Sequence, residues 1–160
     1  MSTEADILRC GYNVGFFEKS DIANWADRQI EAIDDPCNAL LDLSMIQRTH
    51  PLYVMNLLRS LGSTDSSATI ETQIGFIGLL LTQRRITMQV AIRGLWTLVH
   101  EPNINEEQRS HIYFLEDGYD LAAAGTYGTI DDIERELYNF VFPYAQRLTE
   151  QYPHLIPSIE

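Results

Sequence analysis

Four carboxylates late in the chain have the types and the spacing that catalysis could use. Asp117 with Asp120, and Asp131 with Glu134, form two pairs at i, i+3 spacing on either side of a glycine-bearing turn. A hard cation such as Mg²⁺ takes oxygen ligands and bridges substrate phosphates, so two such pairs suit a metal-dependent nucleotide phosphohydrolase. Two features weigh against that chemistry. Gly118 and Gly125 interrupt the geometry, and Asp131 beside Asp132 already has a purpose as first-turn charge on a capped helix, where the helix dipole favours acids. The metal set Asp117, Asp120, Asp131 and Glu134 is therefore the alternative expectation, and the first expectation is a chain with no cofactor and no catalytic residue.

The other reactive side chains add little. Glu107 and His111 share a helix face at i, i+4, but a di-iron bundle needs a second copy of that pair, so a surface ion pair is expected. His50, directly before Pro51, and His100 suit positions at helix ends. The chain has two cysteines, Cys10 and Cys37, and begins with the acidic run Met1-Ser-Thr-Glu-Ala-Asp6 in place of a basic and apolar leader. Two reduced, buried thiols in a cytoplasmic protein are the expectation. Phosphate-cradling glycine loops, a GxSxG elbow and zinc-spaced Cys and His sets are missing from the sequence.

Charge is the more informative property. The net charge is −12, and residues 101–160 carry twelve acids against three bases. Such a surface repels nucleic acid phosphates and anionic membranes and speeds encounter with a basic protein. Six of the eight tyrosines lie in the same third of the chain. Tyrosine is enriched at interface cores, and an acidic rim steers a basic partner onto them. Tyr119 and Tyr144 fall on core-facing stripes, which leaves Tyr127 and Tyr138 as exposed contacts. The expected partner surface is Glu116, Asp117, Asp120, Tyr127, Asp131, Asp132, Glu134 and Tyr138.

The phrase that runs from Gly118 through Tyr119, Asp120, Gly125, Tyr127 and Gly128 to Glu134 resembles the tyrosine- and glycine-bearing turn before the last helix in small helical bacterial proteins of unknown function, some of them toxin immunity proteins. The resemblance covers roughly an eighth of the chain. It implies a cytoplasmic, non-enzymatic inhibitor that occludes a basic toxin domain, and it assigns no site residue.

These side chains must be positioned by helices, because nearly every periodic signal is helical. The fold class expected is all-α, a single-domain bundle of about seven or eight helices around a central antiparallel hairpin at residues 70–100. That stretch carries no acid after Glu71, and its two apolar runs are separated at Gln83, Arg84 and Arg85. Neither run reaches the roughly 20 residues needed to span a bilayer. If the chain reverses at Arg84 and Arg85, Gly75 meets Gly94, Gly78 meets Ala91 and Thr82 meets Thr87, so small residues oppose small residues. Ile74, Ile77, Leu80, Leu81, Val90, Ile92, Leu95, Trp96 and Val99 are then left to receive other helices.

Around the hairpin, Thr3 and Asp6 suggest a capped helix reaching about Cys10, with 11–15 a loop. Ser20 caps a second helix with Ile22, Trp25, Ala26, Ile30 and Ile33 on one stripe. Pro36 and Pro51 open two more, packing through Leu40, Leu41, Ser44 and Met45, and through Val54, Leu57, Leu58 and Leu61. Asn105 and Thr129 cap the last two, and Pro143 kinks or divides the final one. Residues 62–67 read as a flexible loop inside one domain of 160 residues, and 153–160 as an irregular tail. A structural adaptor that self-associates as a homodimer through part of the hairpin is the third reading.

Overall fold

The computed structural model describes residues 1–63 and 67–156, and of 67–69 the helical backbone alone. Among the described residues the chain is all-helical, with eight α-helices, one short 3-10 turn and no strand. Contacts gather into two compact units, Met1–Asp65 and Ser66–Glu160, and the division falls within the loop expected at 62–67. Residues 64–66 of that loop, and 157–160 of the expected tail, lie outside the described residues.

The first unit holds α1 (Ser2–Asn13), α2 (Lys19–Glu31), α3 (Asn38–Ser44), the 3-10 turn Ile46–Arg48 and α4 (Pro51–Leu61). The expected cap at Thr3 does not form. Helix α1 begins two residues earlier than that cap implies, at Ser2, and the acids are used elsewhere: the Trp25 indole donates to Glu4 Oε2 at 2.8 Å, and Asp6 Oδ2 accepts from Ser63 N and Oγ at 2.7 and 2.8 Å. The helix also runs through Gly11, which is buried, and stops only where Gly15 takes a positive φ of 78°. Ser20 lies inside α2. The cap residue is Glu18, whose N–H donates to Asp21 Oδ2 at 2.8 Å.

Ile22, Trp25 and Ala26 are buried as their spacing predicts, while Ile30 and Ile33 are half-buried. Helix α3 starts after Cys37, two residues beyond Pro36, and buries Leu40 and Leu43, whereas Leu41 and Met45 face solvent. A seven-residue helix exposes most of its circumference, so one small rotation decides which leucines are covered. Helix α4 follows its sequence signals closely: Pro51 is its first residue, and Val54, Leu57, Leu58 and Leu61 are buried. His50 caps it with Nδ1, which accepts from Leu52 N at 3.2 Å, so the imidazole serves a helix N-terminus.

The second unit holds α5 (Ser67–Thr82), α6 (Met88–Trp96), α7 (Glu106–Ala123) and α8 (Ile130–Gln151). Residues 74–81 of α5 are all buried, the pattern of a helix apolar on every side. The reversal at Arg84 and Arg85 is present. Arg85 N donates to Leu80 O at 2.9 Å and Arg84 N to Leu81 O at 3.0 Å, which closes the end of α5 with Arg84 at φ 55°, the left-handed conformation that glycine usually supplies. The hairpin's second arm is shorter than the apolar run suggests. Thr87 Oγ1 caps α6 by accepting from Val90 N at 3.2 Å, and the chain leaves the helix after Trp96, so Val99 and His100 lie in turns.

The small-on-small register is not the one adopted. A Cβ added at Gly75 would sit 2.5 Å from Leu148 Cδ1 and 2.9 Å from Tyr144 O, and one at Gly78 would sit 3.0 Å from Val141 O and 3.1 Å from Ala145 Cβ. Both glycines therefore admit α8, which makes the most extensive packing with α5. Gly94 does face α5, but meets the large Ile77 side chain, with Cδ1 3.3 Å from an added Cβ. Val90, expected to receive another helix, is 47% exposed.

Helix α8 is continuous through Pro143. The carbonyl that the proline cannot bond belongs to Asn139, and both residues lie on the exposed side, where water can satisfy it.

Candidate partner-binding site

The acidic residues singled out by spacing lie at the C-terminal half of α7, in the turn after it and at the start of α8. Two caps fix these elements. Asn105 Oδ1 accepts from Gln108 N at 2.7 Å while Gln108 Oε1 accepts from Asn105 N at 3.2 Å, and the buried Gln108 amide also donates to Tyr144 Oη at 3.2 Å. At the other end of the pair, Thr129 Oγ1 accepts from Asp132 N at 3.2 Å and donates to Asp132 Oδ2 at 2.7 Å. Between them α7 ends as α5 does: Thr126 N donates to Leu121 O at 2.9 Å around Gly125, which has φ 68°. Gly118 weakens α7 as an isolated helix but lets α8 approach, since a Cβ there would lie 2.6 Å from Ile133 Cδ1.

The expected set separates into structural and free members. Asp132 is committed to the cap and to Arg135, whose Nη2 donates to Asp132 Oδ1 at 2.5 Å; the Thr129 hydroxyl first, and then Arg135, hold this carboxyl below the ordinary aspartate value. Tyr138, expected as an exposed contact, is half-buried and donates to Leu81 O at 3.4 Å, so it ties α8 to the end of α5. Tyr127 is 77% exposed in the turn. Asp131, in the first turn of α8, and Glu134, just beyond that turn, are exposed, and Asp117 and Asp120 are exposed on α7. The structure does not gather the four carboxylates of the metal reading: among the described residues no group of three or more His, Cys, Asp or Glu side chains is placed to hold a metal ion.

The ion pair expected between Glu107 and His111 is also not formed among the described residues. The His111 ring instead stacks on Phe140, with centroids 4.8 Å apart and planes 15° from parallel. Of the thiols, Cys10 is buried but Cys37 is exposed, because it precedes α3 outside the packed face.

Glu116 and Asp120 acquire neighbours that their spacing did not disclose. They line a cleft of about 200 Å³ between α6 and α7, together with Gln89, Ile92, Arg93, Trp96 and Tyr119. The Trp96 ring is held edge-on by Tyr113, with centroids 5.2 Å apart, and by His100 at 6.4 Å. Partial burial first, then the carboxylates of Asp120 and Asp117, push Glu116 above the ordinary glutamate value. The spacing of Trp96 on α6 and Tyr119 on α7 predicts buried stripes, but both are half-buried. The usable signal was that each of these stripes has a charged residue next to its aromatic, Arg93 on α6 and Glu116 with Asp120 on α7.

Solvent-facing apolar groups accompany the acids. Phe114 is 53% exposed and Leu121 42%, and with Asp117 they share one face of α7 at i, i+3 and i+7. A second cavity, of about 620 Å³, lies in the first unit and is lined by Tyr12, Phe17, Lys19, Leu52 and Met55 among others.

The chain matches no family model, no curated protein and no solved structure. Among the described residues no helix is long and apolar enough to cross a membrane.

Proposed function

We propose that this chain is a non-enzymatic binding module for a basic protein, with α7 and the turn that follows it as the contact surface. The observation that carries the reading is the exposure of Phe114, Leu121 and Tyr127 with Asp117 and Asp120 on α7 and its following turn, next in sequence to exposed Asp131 and Glu134 at the start of α8. Protein interfaces pair an apolar and aromatic centre with a polar rim, and a rim of one sign selects a partner of the other. The sequence resemblance suggests a more specific form, an immunity protein that neutralises a basic toxin domain in the cytoplasm by covering it.

Isothermal titration against the product of the neighbouring gene, and against basic proteins of similar size, tests this at low and high salt. Binding that weakens steeply between about 50 and 500 mM salt is expected, because screening shortens the reach of surface charge. Absence of heat at low salt with every basic partner refutes the reading. So does binding that Phe114→Ala and Tyr127→Ala together leave unchanged.

A further inference from the structure

The cleft between α6 and α7 has a size, a lining and a charge state that point to one kind of guest. Its volume of about 200 Å³ is below the roughly 300–1,000 Å³ of sites that enclose whole small molecules, and suits a single side chain. Trp96 and Tyr119 are among its lining residues, and the faces of aromatic rings attract cations. Glu116 and Asp120 lie one helical turn apart on α7, a like-charge spacing that costs a helix rather than supports it.

Among the described residues neither carboxylate forms an ion pair. Arg93 stands at the same cleft, yet among the described residues it forms no ion pair with either carboxylate. A metal ion is not the complement, since among the described residues no three such ligands converge. A molecular cation that is flat enough to lie on a ring and can donate to two carboxylates meets every requirement, and among protein side chains that is arginine.

We propose that this cleft receives one arginine side chain of the basic partner, its guanidinium lying against Trp96 and Tyr119 and pairing with Glu116 and Asp120. The inference rests on the binding function proposed above and names the partner's anchoring residue. Arg93 is then a competitor at the mouth: it repels the incoming cation, and its removal strengthens capture.

The two tryptophans give separate indole N–H signals in a nitrogen-15 correlation spectrum, and Trp25, hydrogen-bonded to Glu4, serves as internal control. The full chain is titrated with acetyl-Gly-Arg-Gly-amide and with the citrulline and lysine analogues. The expected result is a saturable shift of the Trp96 signal with the arginine peptide, about tenfold weaker binding of the uncharged citrulline peptide, and an unmoved Trp25 signal. Glu116→Gln with Asp120→Asn, which remove charge without changing shape, reduce the affinity about tenfold or more, and Arg93→Ala raises it. Equal shifts with citrulline, equal binding of the lysine peptide, or a silent Trp96 at saturating arginine peptide overturn the proposal.

The same variants separate this idea from the function it rests on. If a basic partner binds the wild type and the Glu116→Gln, Asp120→Asn variant equally, the arginine site falls and the binding function stands. If no basic partner binds the wild type, the binding function falls, and the Trp96 titration still decides the cleft.

Discussion

Replacing three glycines one at a time by alanine separates the packing seen here from the one that residue size suggests. The register inferred from the sequence sets Gly75 directly against Gly94, and in that arrangement alanine at either position would be felt alike. The structure makes them unlike. At Gly75 the new methyl would come 2.5 Å from Leu148 Cδ1 and 2.9 Å from the Tyr144 carbonyl oxygen, and at Gly78 it would come 3.0 Å from the Val141 carbonyl oxygen. A backbone oxygen in the middle of α8 cannot step aside without moving the helix. At Gly94 the only close atoms belong to the end of the Ile77 side chain, at 3.3 and 3.8 Å, and a small rotation relieves them.

The magnitudes then follow from two opposing terms. Alanine favours a helix over glycine by about 1 kcal/mol. Overpacking a filled core costs about 1–3 kcal/mol. Gly94→Ala keeps most of the first term and is expected to be neutral or to gain up to about 1 kcal/mol. Gly75→Ala and Gly78→Ala lose more than they gain, with a net loss of up to about 2 kcal/mol. Urea denaturation followed by far-ultraviolet circular dichroism, with hydrogen exchange along α8, reads both the stability and its location. Equal losses at 75 and 94, or exchange changes confined to α6 in Gly75→Ala, would refute the packing of α5 on α8. Leucine is too large for either site, and Gly78→Leu should lose on the order of 3 kcal/mol or more.

Two further outcomes are expected. Burial pushes the Cys10 thiol up to about 11, against the opposing influence of Arg9, while Cys37 is exposed, so iodoacetamide at pH 8 should add one group to the native chain, at Cys37, and two only after denaturation; prompt double labelling of the native protein contradicts this. Glu116 is raised in the folded chain, so the folded state holds that proton to higher pH than the unfolded one, and the contribution is present below the ordinary glutamate value and lost as pH rises through the raised one. Glu116→Gln should therefore raise the melting temperature slightly at pH 7, an effect kept small by solvent screening, and should not at pH 4; a loss at pH 7 would show that the carboxylate serves the fold.

How far the sequence reaches can be judged from particular residues. Pro51, Asn105 and Thr129 mark helix starts correctly because a cap is a local event: its donor and acceptor are two or three residues apart in the chain. The reversal at Arg84 is local too, and so is the burial of Val54, Leu57, Leu58 and Leu61 on one stripe. Two of the failures have the opposite property. Glu4 and Asp6 look like N-terminal acids of a capped helix, but each is claimed by a group far along the chain, the Trp25 indole and Ser63. Gly75 and Gly78 advertise a close approach, and the sequence does not say by which helix.

For the candidate site the division is the same. The sequence alone determined that the chain is helical, that its last third is acidic and rich in tyrosine, and that Glu116, Asp117 and Asp120 share the end of one helix. Only the tertiary structure decided that Tyr138 is spent on tying α8 to the end of α5, that the four carboxylates do not converge, and that Trp96 of α6 stands beside Tyr119, Glu116 and Asp120 of α7. Helix periodicity fixes which side chains share a face, since that depends on neighbours within a turn or two. Which face meets which is set by the packing of helices distant in sequence, and no spacing along the chain records it.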